Sequence, residues 1–206
     1  DTEVVLFAIE QWGFKSALER FVGMFALAAW DARERRLFLA RDRLGEKPLY
    51  YGWANGSFVF ASELKALRAI PDWSPEIDLD AVGLQMRYTY IAAPHCIYKG
   101  ISKLEPGSYV EIGFSNRAEV GAPVPYWHLD QLALSSRAHP ATRAETAEEL
   151  EFLLTDVIGR QMVADVPLGA FLSGGIDSSL VTALMQKQSG DPVKTFSIGF
   201  NEAEYN

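Results

Sequence analysis

An α+β part built on antiparallel sheets, followed by the start of an α/β part with a parallel sheet, is the architecture that the sequence predicts. Three observations carry it. Residues 24–61 alternate short apolar runs with turn signals, among them Asn55-Gly56, a strong two-residue hairpin signal. Residues 166–200 read as apolar strand, glycine turn, helix and apolar strand, the pattern of a parallel βαβ unit. Between them the chain turns irregular over 113–140, with Pro123, Pro125, Ser135, Ser136 and Pro140. The domain limits that follow are 1–120, a linker over 121–141, and 142–206.

Each element has its own local reason. Thr2 to Trp12 carries a helical stripe of Val4, Val5, Phe7, Ala8 and Trp12, with Thr2 as the expected N-cap and Gly13 as the stop. Ser16 to Phe21 reads as a second, short helix. Met24 to Trp30 and Arg36 to Arg41 read as antiparallel strands about a turn at Asp31 to Arg35. Leu49 to Trp53 and Ser57 to Ala61 flank the Asn55-Gly56 turn. Ser62 is expected to cap a helix through Leu67; Asp78 to Tyr88 is helical and Ser108 to Ile112 a late strand. From Thr142 a helix runs through Leu150, Leu153, Leu154 and Val157 towards Met162. Val166 to Leu172 reads as a short buried strand, Ser178 to Gln188 as a helix and Thr195 to Phe200 as the return strand.

With 206 residues, 49% of them hydrophobic, the chain can build one large core or two small ones. Its formal charge is −8, and no Lys/Arg cluster is long enough for a nucleic-acid groove. Arg33, Arg35 and Arg36 read as a solvated turn. A single cysteine excludes an internal disulfide framework. No apolar run is long enough to span a bilayer and no signal peptide is visible, so a cytoplasmic setting without membrane or nucleic-acid partners is expected. The chain opens at Asp1-Thr2-Glu3 without an initiator methionine and ends just past an apolar strand, and reads as an internal fragment.

The stretch richest in chemistry is Leu172-Ser173-Gly174-Gly175-Ile176-Asp177-Ser178. Strand, glycine turn and helix start make a site for a phosphate chain. Glycines let the backbone approach the anion, and unpaired N–H groups at the helix start point towards it. The spacing is not that of a Walker A loop, because no lysine lies between Val166 and Met185. An acid, Asp177, stands at the mouth instead, where it can hold Mg²⁺ beside a pyrophosphate. The loop resembles the Ser-Gly-Gly-x-Asp-Ser pyrophosphate loop of ATP pyrophosphatases, which cut ATP between its α- and β-phosphates. An acidic chain still admits ATP, because local N–H groups and Mg²⁺ outweigh the global field.

Further motifs occur in a fixed order. Gly23-Met24-Phe25-Ala26 comes first, then Arg41-Asp42-Arg43-Leu44-Gly45-Glu46-Lys47-Pro48-Leu49-Tyr50-Tyr51 and Ala61-Ser62-Glu63-Leu64-Lys65. Leu104-Glu105-Pro106-Gly107, Tyr126-Trp127 and Asp165-Val166-Pro167-Leu168-Gly169 follow, and Phe196-Ser197-Ile198-Gly199-Phe200 closes the series. Over nearly its whole length the chain is similar to glutamine-hydrolysing asparagine synthetases. The resemblance implies a class II glutaminase part of the N-terminal nucleophile hydrolase type, with antiparallel sheets. It implies next the start of an ATP-pyrophosphatase (adenine nucleotide alpha hydrolase-like) domain. The implied reaction converts aspartate, glutamine and ATP to asparagine, glutamate, AMP and pyrophosphate through β-aspartyl-AMP, with ammonia channelled between the sites.

Carried onto matching positions, the resemblance implies Ser173, Gly174, Gly175, Asp177 and Ser178 at the pyrophosphate, with Asp177 on the metal. Leu172 and Ile198 would meet the nucleotide through backbone, and Ser179 would serve helix packing or capping. Asp1 would bind the α-amino group of glutamine; its simpler role is to cap a helix. Arg41, Asp42 and Lys47 would have structural or tunnel-side roles. The family's nucleophile is an N-terminal cysteine acting with its own amino group, and it is absent from this chain. Cys96 is internal and reads as a small buried residue. His95 beside it points to the opposite face of extended chain, and His128 and His139 lack metal-ligand spacing. Glu46 departs from the apolar residue that many relatives carry before Lys-Pro. The substrates are then glutamine, aspartate and ATP, and a homodimer is compatible, since relatives often form one. Two other readings stay open. One is a related amidotransferase acting on a sugar, an exopolysaccharide precursor or a β-lactam precursor; the other is a non-catalytic descendant.

Overall fold

A computed structural model of the chain describes residues 1–114, 118–135 and 142–199. The chain divides into two units, Asp1–Ser136 and Arg137–Asn206. In the first, helices α1 (Thr2–Trp12) and α2 (Phe14–Leu18) precede strands β1 (Ala26–Asp31), β2 (Arg36–Arg41), β3 (Tyr50–Ala54) and β4 (Ser57–Ala61). Helices α3 (Leu64–Leu67) and α4 (Leu79–Tyr88) follow, then β5 (Ile101–Lys103), β6 (Ser108–Gly113), β7 (Glu119–Val120), β8 (Val124–Pro125) and α5 (Leu129–Ser135).

Strand alternation turns this order into layers. One antiparallel sheet runs β1-β2-β6-β7, with β8 also on β6; the other runs β4-β3-β5. Leu39, Val110 and Ile112 of the first sheet meet Tyr51 of the second, with Leu49 and Leu104, in one buried core. Neighbouring residues face the other way. Phe38 stacks on Phe14 of α2 at 4.6 Å on the outer face of the first sheet. Tyr50 and Ile101 pack with Leu67, Cys96 and Tyr98 on the outer face of the second. The unit is thus helix, sheet, sheet and a partly helical layer. Asn55 and Gly56 take φ of 48° and 75°, the left-handed pair that a two-residue hairpin requires. Gly52 is obligatory at φ 157°, since a Cβ there would lie 2.0 Å from the Gly100 carbonyl oxygen.

Several expectations are corrected. Asp1, not Thr2, caps α1: its Oδ1 accepts from the Thr2 N–H at 2.8 Å. Ser62 does not cap α3. Glu63 holds the cap position without a side-chain bond and pairs with Lys65 instead. The second helix begins at Phe14 rather than Ser16, because Phe14 is drawn down onto Phe38 and Tyr109. The stretch read as irregular contains β8, held by Tyr109↔Val124 pairing, and α5. Three-residue β5, unread from sequence, gains its strand character from Tyr50 to Gly52 across the sheet.

In the second unit, α6 (Arg143–Gln161) and α7 (Ile176–Gln188) alternate along the chain with the strands β9 (Gly169–Phe171) and β10 (Lys194–Phe196). A full capping box starts α6: Thr142 accepts from the Glu145 N–H and Glu145 reaches back to the Thr142 N–H. β9 and β10 pair in parallel through the α7 crossover, as the sequence pattern required. The core is small: Ile158, Leu184 and Met185, with Leu154, Met162, Ala170 and Val193 around them. The strand read as buried over 166–172 is shorter and open, with Val166 68% and Phe171 80% exposed. A two-stranded sheet covered by helices on one side leaves its other face bare. β10 ends at Phe196, short of the expected strand; Phe200 lies outside the described residues.

Candidate functional site

The glycine loop sits where β9 hands over to α7. The Leu172 N–H extends the sheet to the Phe196 carbonyl at 2.9 Å. The Ser197 hydroxyl bonds the Leu172 carbonyl at 2.5 Å, so the ends of the two parallel strands are tied together. Gly174 then turns at φ 81°, with nothing within 4 Å of where a Cβ would stand. Ser178, in the first turn of α7, folds back over the loop. Its Oγ accepts from the Ser173 N–H at 3.3 Å, donates to the Gly175 carbonyl at 3.2 Å and lies 3.1 Å from the Ser173 hydroxyl.

What the loop leaves unmade is equally informative. Gly175 occupies the N-cap of α7 and supplies no side-chain cap. The first-turn N–H groups of α7 therefore lack an intrahelical partner and face the loop mouth. Asp177 is exposed in that same turn. Open space over Gly174, uncapped donors and a free carboxylate fit a pyrophosphate with a hard cation beside it. Among the described residues no group of three or more His, Cys, Asp or Glu could hold a metal alone. Asp177 would then be one ligand, with phosphate and water as the rest, which is how Mg²⁺ commonly binds. The structure brings Leu172, Ser173, Gly174, Gly175, Asp177 and Ser178 together at the ends of two parallel strands, and Ile198 follows Ser197 just past the end of the second. Ser197 is a participant that sequence reading passed over. Its only signal was a hydroxyl within the stretch read as the return strand. Ser179, expected to pack or cap, is exposed.

In the first unit, Asp1 is among the residues that line a cleft of about 730 Å³ between α1 and residues 21–29, which run into β1. Val5 and Ile9 line one side, Gly23, Phe25 and Leu27 the other. Beside it, the charged loop 41–47 is not a solvated turn. The buried Arg41 guanidinium donates to Lys47 O at 2.8 Å, Leu104 O at 2.7 Å and Gly45 O at 2.5 Å. Asp42 accepts from the N–H groups of Phe25, Glu46 and Lys47. Both charged groups bind backbone, which leaves the Glu46 and Lys47 side chains exposed. The Tyr126 hydroxyl donates to Arg41 O at 2.8 Å. Burial, then the nearby Asp42 charge, push that phenol up to about 12, against an opposing effect of Arg43. Cys96 is buried at 4% exposure and burial pushes its thiol up, away from the reactive thiolate. His139 lies outside the described residues.

The layered unit, with its paired antiparallel sheets and a cleft at their margin, is the scaffold of an amidotransferase, and residues 1–127 match the family model described as a glutamine amidotransferase domain. The chain belongs to that family. Residues 149–206, which hold the glycine loop, match the family model described as asparagine synthase. Among similar proteins, the putative asparagine synthetase [glutamine-hydrolyzing] 2 of Methanocaldococcus jannaschii is 37% identical over 210 residues. That match covers 100% of this chain and 39% of the relative. The asparagine synthetase [glutamine-hydrolyzing] 3 of Bacillus subtilis is 34% identical, over 98% of this chain and 32% of its own length. The chain thus spans about a third of the length of the curated relatives that it matches. No helix among the described residues is long and apolar enough to cross a membrane.

Proposed function

We propose that the protein is an ATP-dependent asparagine synthase that hydrolyses glutamine, and that this chain carries parts of both its sites. The observation that carries the reading is one chain holding an amidotransferase unit and, after it, an uncapped Ser-Gly-Gly-x-Asp-Ser loop at the ends of two parallel strands.

The chemistry needs two sites. A carboxylate is a poor acyl donor to ammonia because its carbonyl carbon is electron-rich. Attack of an aspartate carboxylate oxygen on the α-phosphorus of ATP breaks the α–β bridge and releases pyrophosphate. The resulting acyl-AMP has a good leaving group. Ammonia then forms the C–N bond, the C–O bond to AMP breaks, and a proton is lost. The loop acts where charge develops. Backbone N–H groups at Gly174, Gly175 and the start of α7 would receive the departing pyrophosphate, and Ser173 and Ser178 would keep the loop in shape. Asp177 would hold Mg²⁺, which supplies neutralising positive charge to the phosphate oxygens. Leu172 and Ile198 would fix the nucleotide through backbone groups at the strand ends. In the other unit, Asp1 would meet the α-ammonium group of glutamine, a charge-assisted bond suited to selecting an amino acid. No residue of this chain is assigned as the glutaminase nucleophile.

The test is ATP–pyrophosphate exchange in the full-length protein with aspartate as acceptor. Asp177→Ala is expected to lower the exchange rate by about 100-fold or more, the scale on which lost electrostatic stabilisation is felt. Exchange that survives the substitution overturns the metal role. AMP release measured across a panel of carboxylic acids decides the acceptor.

A further inference from the structure

Asp42 has no exposed surface. Its carboxylate holds two separate stretches of backbone at once. Oδ2 accepts from the Phe25 N–H at 3.3 Å and the Lys47 N–H at 2.9 Å, while Oδ1 accepts from the Glu46 N–H at 2.9 Å. Its backbone extends the grip. The Asp42 N–H donates to Phe25 O at 2.9 Å, and its carbonyl accepts from Gly45 at 3.1 Å and Gly107 at 2.8 Å. Phe25 therefore meets Asp42 at both of its backbone groups.

Phe25 belongs to the segment that walls the cleft opposite α1 and Asp1. Residues 22–25 of that segment precede β1 and lie outside its ladder with β2, which begins at Ala26↔Arg41. Gly23 sits at φ 131°, Val22 and Met24 are 74% and 47% exposed, and the ring contact of Phe25, edge-on to Phe21 at 5.9 Å, lies within the same stretch of chain. A wall with few anchors takes its position from the strongest of them. A carboxylate accepting backbone N–H bonds in a dry site is a strong and directional anchor.

We propose that Asp42 is a positioning residue for glutamine: its carboxylate sets the Gly23–Phe25 wall at the height from which the cleft holds the substrate against Asp1. The proposal rests on the reading of that cleft as the glutamine site. The Arg41-Asp42 pair then has two jobs. Arg41 gathers the carbonyls of the 45–47 loop, and Asp42 couples the N–H groups of that loop to the cleft wall.

Two variants of the full-length protein separate the ends of this link. Asp42→Asn can keep its oxygen on Phe25 and Lys47 and turn its NH₂ towards Glu46, which disturbs the loop and spares the wall. Asp42→Glu keeps both oxygens but carries them one methylene further into a packed site, which displaces the wall. Asp42→Glu is expected to raise the KM for glutamine about tenfold with kcat within about twofold, the signature of weakened ground-state positioning. Asp42→Asn is expected to raise it by less. Ammonia-dependent synthesis, which bypasses the cleft, stays unchanged in both and reports an intact fold. An unchanged glutamine KM in Asp42→Glu, or kcat falling with KM held, overturns the role of Asp42. A protein that makes product with ammonia but never with glutamine overturns the reading of the cleft itself. If Asp42→Glu does not fold, hydrogen exchange on the wild-type protein decides. Glutamine is expected to slow exchange at the Phe25, Glu46 and Lys47 amides together, because one carboxylate holds all three. Protection confined to Phe25 counts against the coupling.

Discussion

Tyr126 shows how far a single hydroxyl reaches. It donates to Arg41 O across 85 positions of sequence and fastens the end of the first unit to the strand that holds Arg41 and leads into Asp42. Burial and the Asp42 charge raise its phenol from the ordinary 10 to about 12, so the folded protein keeps this proton more tightly than the unfolded chain. The resulting stability is complete below pH 10 and falls away as pH climbs towards about 12. Tyr126→Phe is expected to flatten that alkaline fall in a urea titration series, and to cost about 1 kcal/mol at neutral pH for the lost bond. An alkaline limb of unchanged slope would count against the assignment. The Tyr126-Trp127 motif was legible in sequence; what it fastens was not. The same holds for Arg41 and Asp42. Whether a charged loop is solvated or grips backbone depends on distant partners, here Phe25, Leu104 and Gly107, which no local pattern encodes.

At the scale of elements, local chemistry was the better guide where it was self-contained. The hairpin at Asn55-Gly56 and the start of α6 at Thr142 were readable because a turn and a capping box are each built within four residues. Thr142→Ala is accordingly expected to destabilise the second unit by about 1 kcal/mol, seen as faster amide exchange through the first turns of α6. Exchange that matches wild type there would show that the box contributes nothing. Elements defined by their neighbours were harder. β5 is a strand because β3 lies beside it, β8 because β6 does, and α5 hides behind a proline-rich approach. The burial of β9 was misjudged for the same reason. An apolar run says that a face wants cover, and only the sheet around it decides how much it receives.

Across the whole molecule, the two units divide the proposed labour between making ammonia and activating the acceptor, and the division is testable from Asp1. Asparagine caps helices as well as aspartate does, so Asp1→Asn keeps the start of α1 and removes only the charge. It is expected to raise the KM for glutamine about tenfold or more while ammonia-dependent synthesis continues at its wild-type rate. Equal loss with both nitrogen donors would place Asp1 in the scaffold alone. The glycine loop was the most legible part of this division, since strand, turn, acid and helix start are contiguous; the Ser197 tie between strand ends was not, because it joins residues 25 positions apart. The two long helices of the second unit begin in opposite ways. α6 closes its first turn with Thr142 and Glu145, whereas Gly175 leaves that of α7 open. An anion bound there would complete the helix, and at a hundredfold excess over its Kd it would add about 2.7 kcal/mol to the stability of the folded state. On the proposed reading pyrophosphate would be the missing terminator of α7, and its departure would return that first turn to its open, uncapped state.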